Sequence, residues 1–339
     1  MNEIKKVSVV MSTYNGESKG YLKDQLDSIL NQTYPIYEII IQDDGSSDKT
    51  FELLSDYAEK YPLIKLFRNE KNLGCGNSFV SAWNKATGDY IVVSDDDDVW
   101  LPTKIETLSN IIGDKILAIG QSKVIEGNNF DKYILGYKWG KRNPKKATIE
   151  KLMFYNCVGG GLEMMFNKKI LSIINEIESE NLIVPDYLLA LIAYYNKSVA
   201  ITEEITQYCR INPLSTSGKK FQYVEIDKKW RKIKGYKILY SNYCLIIGKK
   251  SSAIAHHFEK IYQVIKVLHK RTPTNTSKRL LSFVLSMKNQ TFFSYVKSSL
   301  LCFSMRKDIF EVASKWNLKK YLNALFFIYR YWYDHRYDC

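Results

Sequence analysis

Four consecutive carboxylates, Asp95-Asp96-Asp97-Asp98, are the residues of this chain with the clearest chemical potential. Adjacent like charges cost free energy unless a cation or a set of hydrogen-bond donors compensates them. Carboxylate oxygens suit hard divalent cations, which in turn hold phosphate. The run therefore reads as a divalent-metal site for a phosphate-bearing ligand, and its competitor is an ordinary acidic turn. Two more polar clusters accompany it, Ser12-Thr13-Tyr14-Asn15-Gly16 and Asp43-Asp44-Gly45-Ser46-Ser47-Asp48.

These clusters need elements to position them. Tyr90-Ile91-Val92-Val93-Ser94 is short and rich in β-branched residues, as in a buried strand. Beyond the carboxylates, Pro102 fits the first turn of a helix with Ile105, Leu108 and Ile112 on one face. Val7–Met11, Glu38–Gln42 and Ile64–Phe67 read as further strands. Helices are expected between them: Leu22, Leu26, Ile29 and Leu30 share one stripe, and Phe51, Leu54 and Ala58 another, capped by Ser47 or Asp48. A third helix carries Phe79, Ala82, Trp83 and Ala86 and stops at Gly88. Such alternation predicts a parallel sheet with crossover helices. The three polar clusters then leave the carboxyl ends of three strands, where open α/β sheets bind ligands. There is no G-x-G-x-x-G and no Walker motif, so dinucleotide redox chemistry and P-loop phosphoryl transfer lose support.

At 339 residues the chain is long enough for two domains. Its net charge of +13 is uneven: residues 1–218 carry −5 and residues 219–339 carry +18. A basic, aromatic-rich segment could face nucleic acid or an anionic membrane, and no nucleic-acid-binding signature accompanies it. The six cysteines form no C-x-x-C pair, which fits free thiols in a reducing compartment. The N-terminal apolar run is too short for a signal-peptide core. No stretch reaches the roughly 18 apolar residues of a membrane span. A cytoplasmic protein is expected.

Taken as a set, the segments Val7–Gly16, Gln25–Tyr34, Ile41–Asp48, Asn72-Leu73-Gly74, Ala86–Tyr90 and Ser94–Trp100 resemble the family 2 inverting glycosyltransferases. The resemblance is firm over residues 5–125 and thinner to about 218. It implies a GT-A fold, a Rossmann-like α/β mixed sheet with flanking helices, as a catalytic domain over 1–218. Residues 219–339 are expected to form a basic, aromatic-rich helical region. It further implies transfer of a sugar from a nucleotide-diphosphate donor to a hydroxyl of a growing, lipid-linked surface polysaccharide. The D-x-D-D-x-W-x-P form and the Asn-Leu-Gly segment are similar to those of rhamnosyltransferase-like enzymes, so dTDP-rhamnose is one expected donor and a UDP-sugar the other. Nucleotidyltransfer and a non-catalytic sugar-nucleotide-binding partner are the alternatives.

Carried over position by position, the resemblance makes Asp97, with Asp95, the ligands of Mn²⁺ or Mg²⁺ bridging the donor diphosphate. Asp95 or Asp96 would reach the ribose or metal-bound water. Asp44 would bind the nucleobase, Tyr14 would stack on it, and Ser12 and Asn15 would line the same pocket. Asp43 is divided between ligand contact and loop capping. The base that deprotonates the acceptor would be Asp186, after Val158–Met165 and at the start of a helix, with Glu163, then Glu203 or Glu204, behind it. Arg210 would meet phosphate. One departure stands out: Asn212 occupies a position where the family often has a His that completes the metal site, and Ser215 one where Asn is common. The C-terminal region would rest on an anionic membrane surface, making the enzyme a peripheral protein on the inner face of the cell membrane, and nucleic acid is not expected as a partner.

Overall fold

Parallel strands buried on both faces read as near-continuous apolar runs, and the first, second and fourth strands have that character. The computed structural model describes residues 4–135, 143–154, 158, 163–211, 251–310 and 328. The glycine run 159–161, residues 212–250, which include Asn212 and Ser215, and residues 311–327 and 329–339 lie outside them. The chain divides into two compact units, residues 1–147 with 156–222, and residues 148–155 with 223–339.

In the first unit β1 (Val7–Thr13), β2 (Glu38–Asp43), β3 (Ile64–Arg68) and β4 (Tyr90–Ser94) lie parallel in the order β3-β2-β1-β4. Thr13 pairs with Asp43 and Met11 with Ser94, so all three polar clusters exit along one edge. Helices α1 (Leu22–Leu30), α2 (Thr50–Lys60) and α3 (Cys75–Lys85) connect them. Leu22, Leu26 and Ile29 of α1 share a core with Val7, Val9 and Met11, and with Ile105, Leu108 and Ile112 of α4 (Lys104–Ile112).

Between β4 and α4 sits a two-residue strand, β5 (Val99–Trp100), which the sequence does not announce. It pairs antiparallel with the late strand β9 (Val199–Ile211), and the Leu101 N–H still donates to the Thr206 carbonyl at 2.9 Å. That pairing keeps the chain extended through Leu101. The helix consequently starts at Lys104, with Pro102 in the preceding turn rather than in its first turn.

Beyond β4 the sheet changes direction. Strand β8 (Met164–Asn167) lies antiparallel to β4, and β6 (Leu117–Glu126) antiparallel to β8. Strand β9 runs parallel to β6, and β7 (Tyr133–Leu135) pairs with its other partner edge. The result is the mixed sheet of a GT-A fold, nine strands among the described residues. Short α6 (Leu171–Ile174) and the apolar, largely buried α7 (Pro185–Tyr195) complete this unit. Pro185 occupies the first turn of α7, where its missing N–H costs nothing.

The second unit contains α5 (Ile149–Leu152), α8 (Ser252–Arg271), α9 (Asn275–Asn289), α10 (Phe292–Ser304) and α11 (Arg306–Phe310). Ser251, Thr274 and Thr291 each cap a helix by accepting a backbone N–H three residues on. Phe154, Phe258 and Phe283 meet edge-to-face at its centre. Phe293 is 82% exposed and Leu300 60% exposed. Among the described residues no helix is long and apolar enough to cross a membrane.

Candidate active site

The site is assembled from strand exits that are tied to one another before any ligand arrives. The Asp44 N–H donates to the Thr13 carbonyl at 2.8 Å. Asn15, held at φ +52, donates its N–H to Ser46 Oγ at 2.9 Å and accepts the Ser47 N–H on Oδ1 at 2.9 Å. Asn is among the few residues that tolerate this left-handed backbone. Ser12 Oγ donates to Ser78 Oγ of α3 at 2.8 Å, while Tyr14 stands 45% exposed at the rim.

Asp43 and Asp44 divide the labour. The buried Asp43 accepts the Ser46 N–H at 3.1 Å and is ion-paired with Arg68 Nε at 3.1 Å, which makes it the cap of its own loop. Asp44 accepts from Asn69 Nδ2 at 2.7 Å, from the Leu73 N–H at 2.9 Å and from the Gly74 N–H at 3.0 Å. It thereby draws the Asn72-Leu73-Gly74 turn, with Gly74 at φ +81, over the pocket.

The four-carboxylate run separates into distinct environments. Burial pushes the Asp95 carboxyl well above the usual carboxylate range, and Asp97, Asp98 and Asp96 add to this against Lys19. Asp96 is claimed on both oxygens, by Thr13 Oγ1 at 2.5 Å and by Lys19 Nζ at 2.6 Å. Asp97 is 7% exposed. Asp98 accepts the Arg210 N–H at 2.9 Å and Gln207 Nε2 at 3.3 Å. Burial, with Asp97 beside it, pushes its carboxyl up to about 7.

Beneath the run lies a fully buried lysine that sequence reasoning missed. Lys104 Nζ sits 3.8 Å from the centre of the Trp100 ring and donates to Gln207 Oε1. Burial pulls its pKa down to about 7 against the attraction of Asp98, Glu163 and Asp95. A signal existed, since Lys104 precedes Leu108 by four positions and so lies on the apolar face of α4. Glu163 is buried in the same region and accepts from Ser122 Oγ. Glu203 and Glu204 are surface residues of β9, one paired with Lys145 at 2.5 Å, the other accepting from Thr107 Oγ1 at 3.1 Å.

Arg210 is committed to protein oxygens. Its Nη1 donates to the carbonyls of Asp97 and Asp98 at 3.1 and 2.9 Å, and Nη2 to Asp24 Oδ2 and Asn128 Oδ1 at 2.7 and 2.8 Å. Nε donates to the Gly127 carbonyl and to Asn128 Oδ1 at 3.2 and 3.1 Å. All five donors of the guanidinium are thus engaged. The side chain is fully buried and clamps the backbone of the carboxylate run from behind.

Asp186 enters from α7. A Cβ on Gly76 would stand 3.5 Å from the Ile183 carbonyl, so the segment leading into α7 lies against the start of α3. Cys75, also at the start of α3, reports the convergence. Desolvation pushes its thiol up to about 12, and Asp95, Asp186, Asp44 and Asp96, in that order, add to the effect. Carboxylates from the exits of β2 and β4 and from the start of α7 therefore share one region.

The family model for glycosyl transferase family 2 matches residues 8–172, a span that includes every one of these strand exits. Residues 8–172 of this chain are a glycosyltransferase family 2 domain. The transferase is 28% identical over 229 residues to the Escherichia coli UDP-Glc:alpha-D-GlcNAc-diphosphoundecaprenol beta-1,3-glucosyltransferase WfgD, covering 66% of this chain and 83% of that one. It is 44% identical over 101 residues to an uncharacterized glycosyltransferase of Methanocaldococcus jannaschii, covering 30% of this chain and 34% of that one. With the putative glycosyltransferase EpsE of Bacillus subtilis it shares 40% over 107 residues, 31% of this chain and 38% of that one. The stronger identities thus span only about a third of each relative's length. In fold the transferase is similar to Staphylococcus aureus TarS 1–349 in complex with UDP-GlcNAc, at TM-score 0.54 and 13% identity over 98% of this chain and 90% of that one.

Proposed function

We propose that this glycosyltransferase moves a sugar, with inversion, from a nucleotide-diphosphate donor to a hydroxyl of a growing, lipid-linked surface glycan. The observation that carries the reading is the convergence of three elements: the Asp44 N–H on the Thr13 carbonyl, Thr13 Oγ1 on Asp96, and the segment leading into α7, with Asp186, against the start of α3. Three separate elements deliver carboxylates to one place, which a merely solvated acidic turn does not require.

Within this reading Asp44 and Tyr14, with Ser12 and Asn15, receive the nucleoside, and Asp97 with Asp95 holds a divalent cation. The donor set fits such an ion. It consists of carboxylate oxygens, and Asp95 is raised by burial and by its charged neighbours, a cost that a cation relieves. Among the described residues no three potential ligands are grouped as a cage. Two carboxylates with substrate phosphates and water are an ordinary Mg²⁺ set. When bound, the ion would supply Lewis-acid neutralisation of the departing diphosphate. Asp186 takes the proton of the acceptor hydroxyl as its oxygen bonds to the anomeric carbon and the bond to the diphosphate oxygen breaks. Arg210, whose donors are all spent on protein oxygens, acts on the carboxylate run by holding its backbone and not by touching phosphate.

The choice between dTDP-rhamnose and a UDP-sugar turns on the relatives. WfgD by its name takes UDP-glucose and a diphosphoundecaprenol-linked acceptor, which favours a UDP-sugar and a lipid-linked glycan here. The +18 charge of residues 219–339 and the exposed Phe293 and Leu300 favour an anionic membrane surface as the place of work.

The test is a calorimetric donor panel of UDP-, dTDP- and GDP-sugars with Mn²⁺, with Mg²⁺ and with EDTA, on wild type and Asp97→Ala. Binding of one nucleotide class that needs metal and is lost in Asp97→Ala is the expected result. Binding of no sugar nucleotide refutes the reading, and pyrophosphate release in place of a nucleoside diphosphate would point to nucleotidyltransfer.

A further inference from the structure

The loop that follows β1 carries one ammonium into the acidic pocket. Lys19 Nζ lies 2.6 Å from Asp96 Oδ1, and the two side chains are 20% and 4% exposed. Three features distinguish this pair from a surface ion pair, which is ordinarily worth little. The loop is pinned: the Glu17 N–H donates to Thr50 Oγ1 and the Ser18 N–H to Asp48 Oδ2, both at 2.9 Å, and Gly20 closes the turn at φ +78. The loop is also moulded to the carboxylate, since a Cβ on Gly16 would fall 2.5 Å from Thr13 Oγ1 and 2.7 Å from Asp96 Oδ2. Finally, the ammonium is felt beyond its partner. Burial works against its charge, yet Asp96, then Asp97 and Asp95, hold its pKa above the usual lysine value.

We propose that Lys19 is a built-in counter-cation that neutralises Asp96, removes that carboxylate from the ion-binding set, and weakens the hold of Asp95 and Asp97 on a divalent cation. The inference rests on the reading that these two aspartates bind the ion. Its consequence is coupling between the ion and the donor. With a fixed positive charge already in the pocket, the carboxylates alone bind a second cation poorly. A donor diphosphate restores the negative charge, so ion and nucleotide are taken up together. Asp96 is then a positioning residue that acts through Lys19, and its contact with Thr13 aligns β1 with the β4 exit.

The experiment is a titration with Mn²⁺ alone, free ion being read by electron paramagnetic resonance, on the full chain. The comparison set is wild type, Lys19→Met, Lys19→Arg, Asp96→Asn and the Lys19→Met/Asp96→Asn double variant. Even screened at the dielectric of water, one positive charge within several ångströms of a divalent site changes its affinity by roughly tenfold. Lys19→Met should bind Mn²⁺ about tenfold tighter and Lys19→Arg within about twofold of wild type. Asp96→Asn, which leaves the ammonium uncompensated, should bind about tenfold more weakly, and the double variant should return to the wild-type value. Equal or weaker binding by a folded Lys19→Met overturns the proposal, with Lys19→Gln taking its place if circular dichroism shows the Met variant unfolded. A double variant as weak as Asp96→Asn overturns it too, because Asp96 would then be a ligand itself. An Asp97→Ala control separates the layers: Mn²⁺ binding that survives it refutes the underlying metal assignment whatever Lys19 does.

Discussion

Arg210→Met offers the sharpest test of how the site is built. The substitution keeps an unbranched side chain of similar reach and removes five donors. Two of the acceptors left behind are the carbonyls of Asp97 and Asp98, behind the carboxylate run, and each unsatisfied buried acceptor costs about 1–3 kcal/mol. The Asp24 partner is 46% exposed, so the loss of that ion pair adds little. The sum is about 2–6 kcal/mol. At about 2–4 °C per kcal/mol for a unit of this size, calorimetry should show the first unit melting about 4–24 °C lower. Arg210→Lys should not restore it, since an ammonium presents three donors from one point and cannot serve acceptors on several sides. Nucleotide affinity, measured well below the transition, should fall only as far as the carboxylate run is displaced. The reasoning is refuted if Arg210→Met melts with wild type while its affinity for a nucleoside diphosphate drops tenfold or more. That pattern would make Arg210 a phosphate ligand.

Three further outcomes are expected. Asp186→Asn should lower turnover by about 10²–10⁴-fold while donor affinity stays within about threefold, and loss of donor binding instead would remove Asp186 from the role of base. Glu38, held at about 2 by Lys65, Thr87 and Ser8 against the cost of burial, lends stability that is complete above about pH 4.5 and disappears as pH falls toward 2. Discounted for the half-exposed Lys65, that contribution is about 2 kcal/mol. Glu38→Gln should be less stable than wild type in urea at pH 7 and converge with it toward pH 2, whereas parallel pH curves would refute the assignment. The full chain should float with anionic vesicles at low salt and be released at high salt, and absence of flotation at low salt would sink the membrane reading.

Residues that read plainly from sequence are those whose signal is local. The apolar β-branched runs of β1, β2 and β4 and the stripe Leu22, Leu26, Ile29 each declare themselves within a dozen positions. The mixed character of the sheet came from resemblance, because direction after β4 depends on pairings such as Val92 with Met165 that no local pattern encodes. Strand β5 has two residues, too few for any period. The family motifs point to a shared pocket for Asp44, Asp95 and Asp186, while the occupation of Arg210 could not be read. Its partners Asp24 and Asn128 lie 186 and 82 positions away. Lys19 gave no sign either, since a lysine in a polar loop looks the same whether it meets water or a buried aspartate.

Strand β9 has a consequence for synthesis. It supplies the Arg210 and Gln207 groups that hold Asp98, more than a hundred positions downstream of the carboxylates they support. At about 5–20 residues per second, the ribosome makes the pocket's floor many seconds before its bracing strand. During that interval the edge of β6 that β9 will cover is open, and the Asp97–Asp98 carbonyls lack the guanidinium. A fragment ending at residue 172, where the family match stops, would be arrested in that state. Such a fragment should behave as an aggregation-prone intermediate with an unfinished pocket, which sets the shortest useful truncation beyond β9.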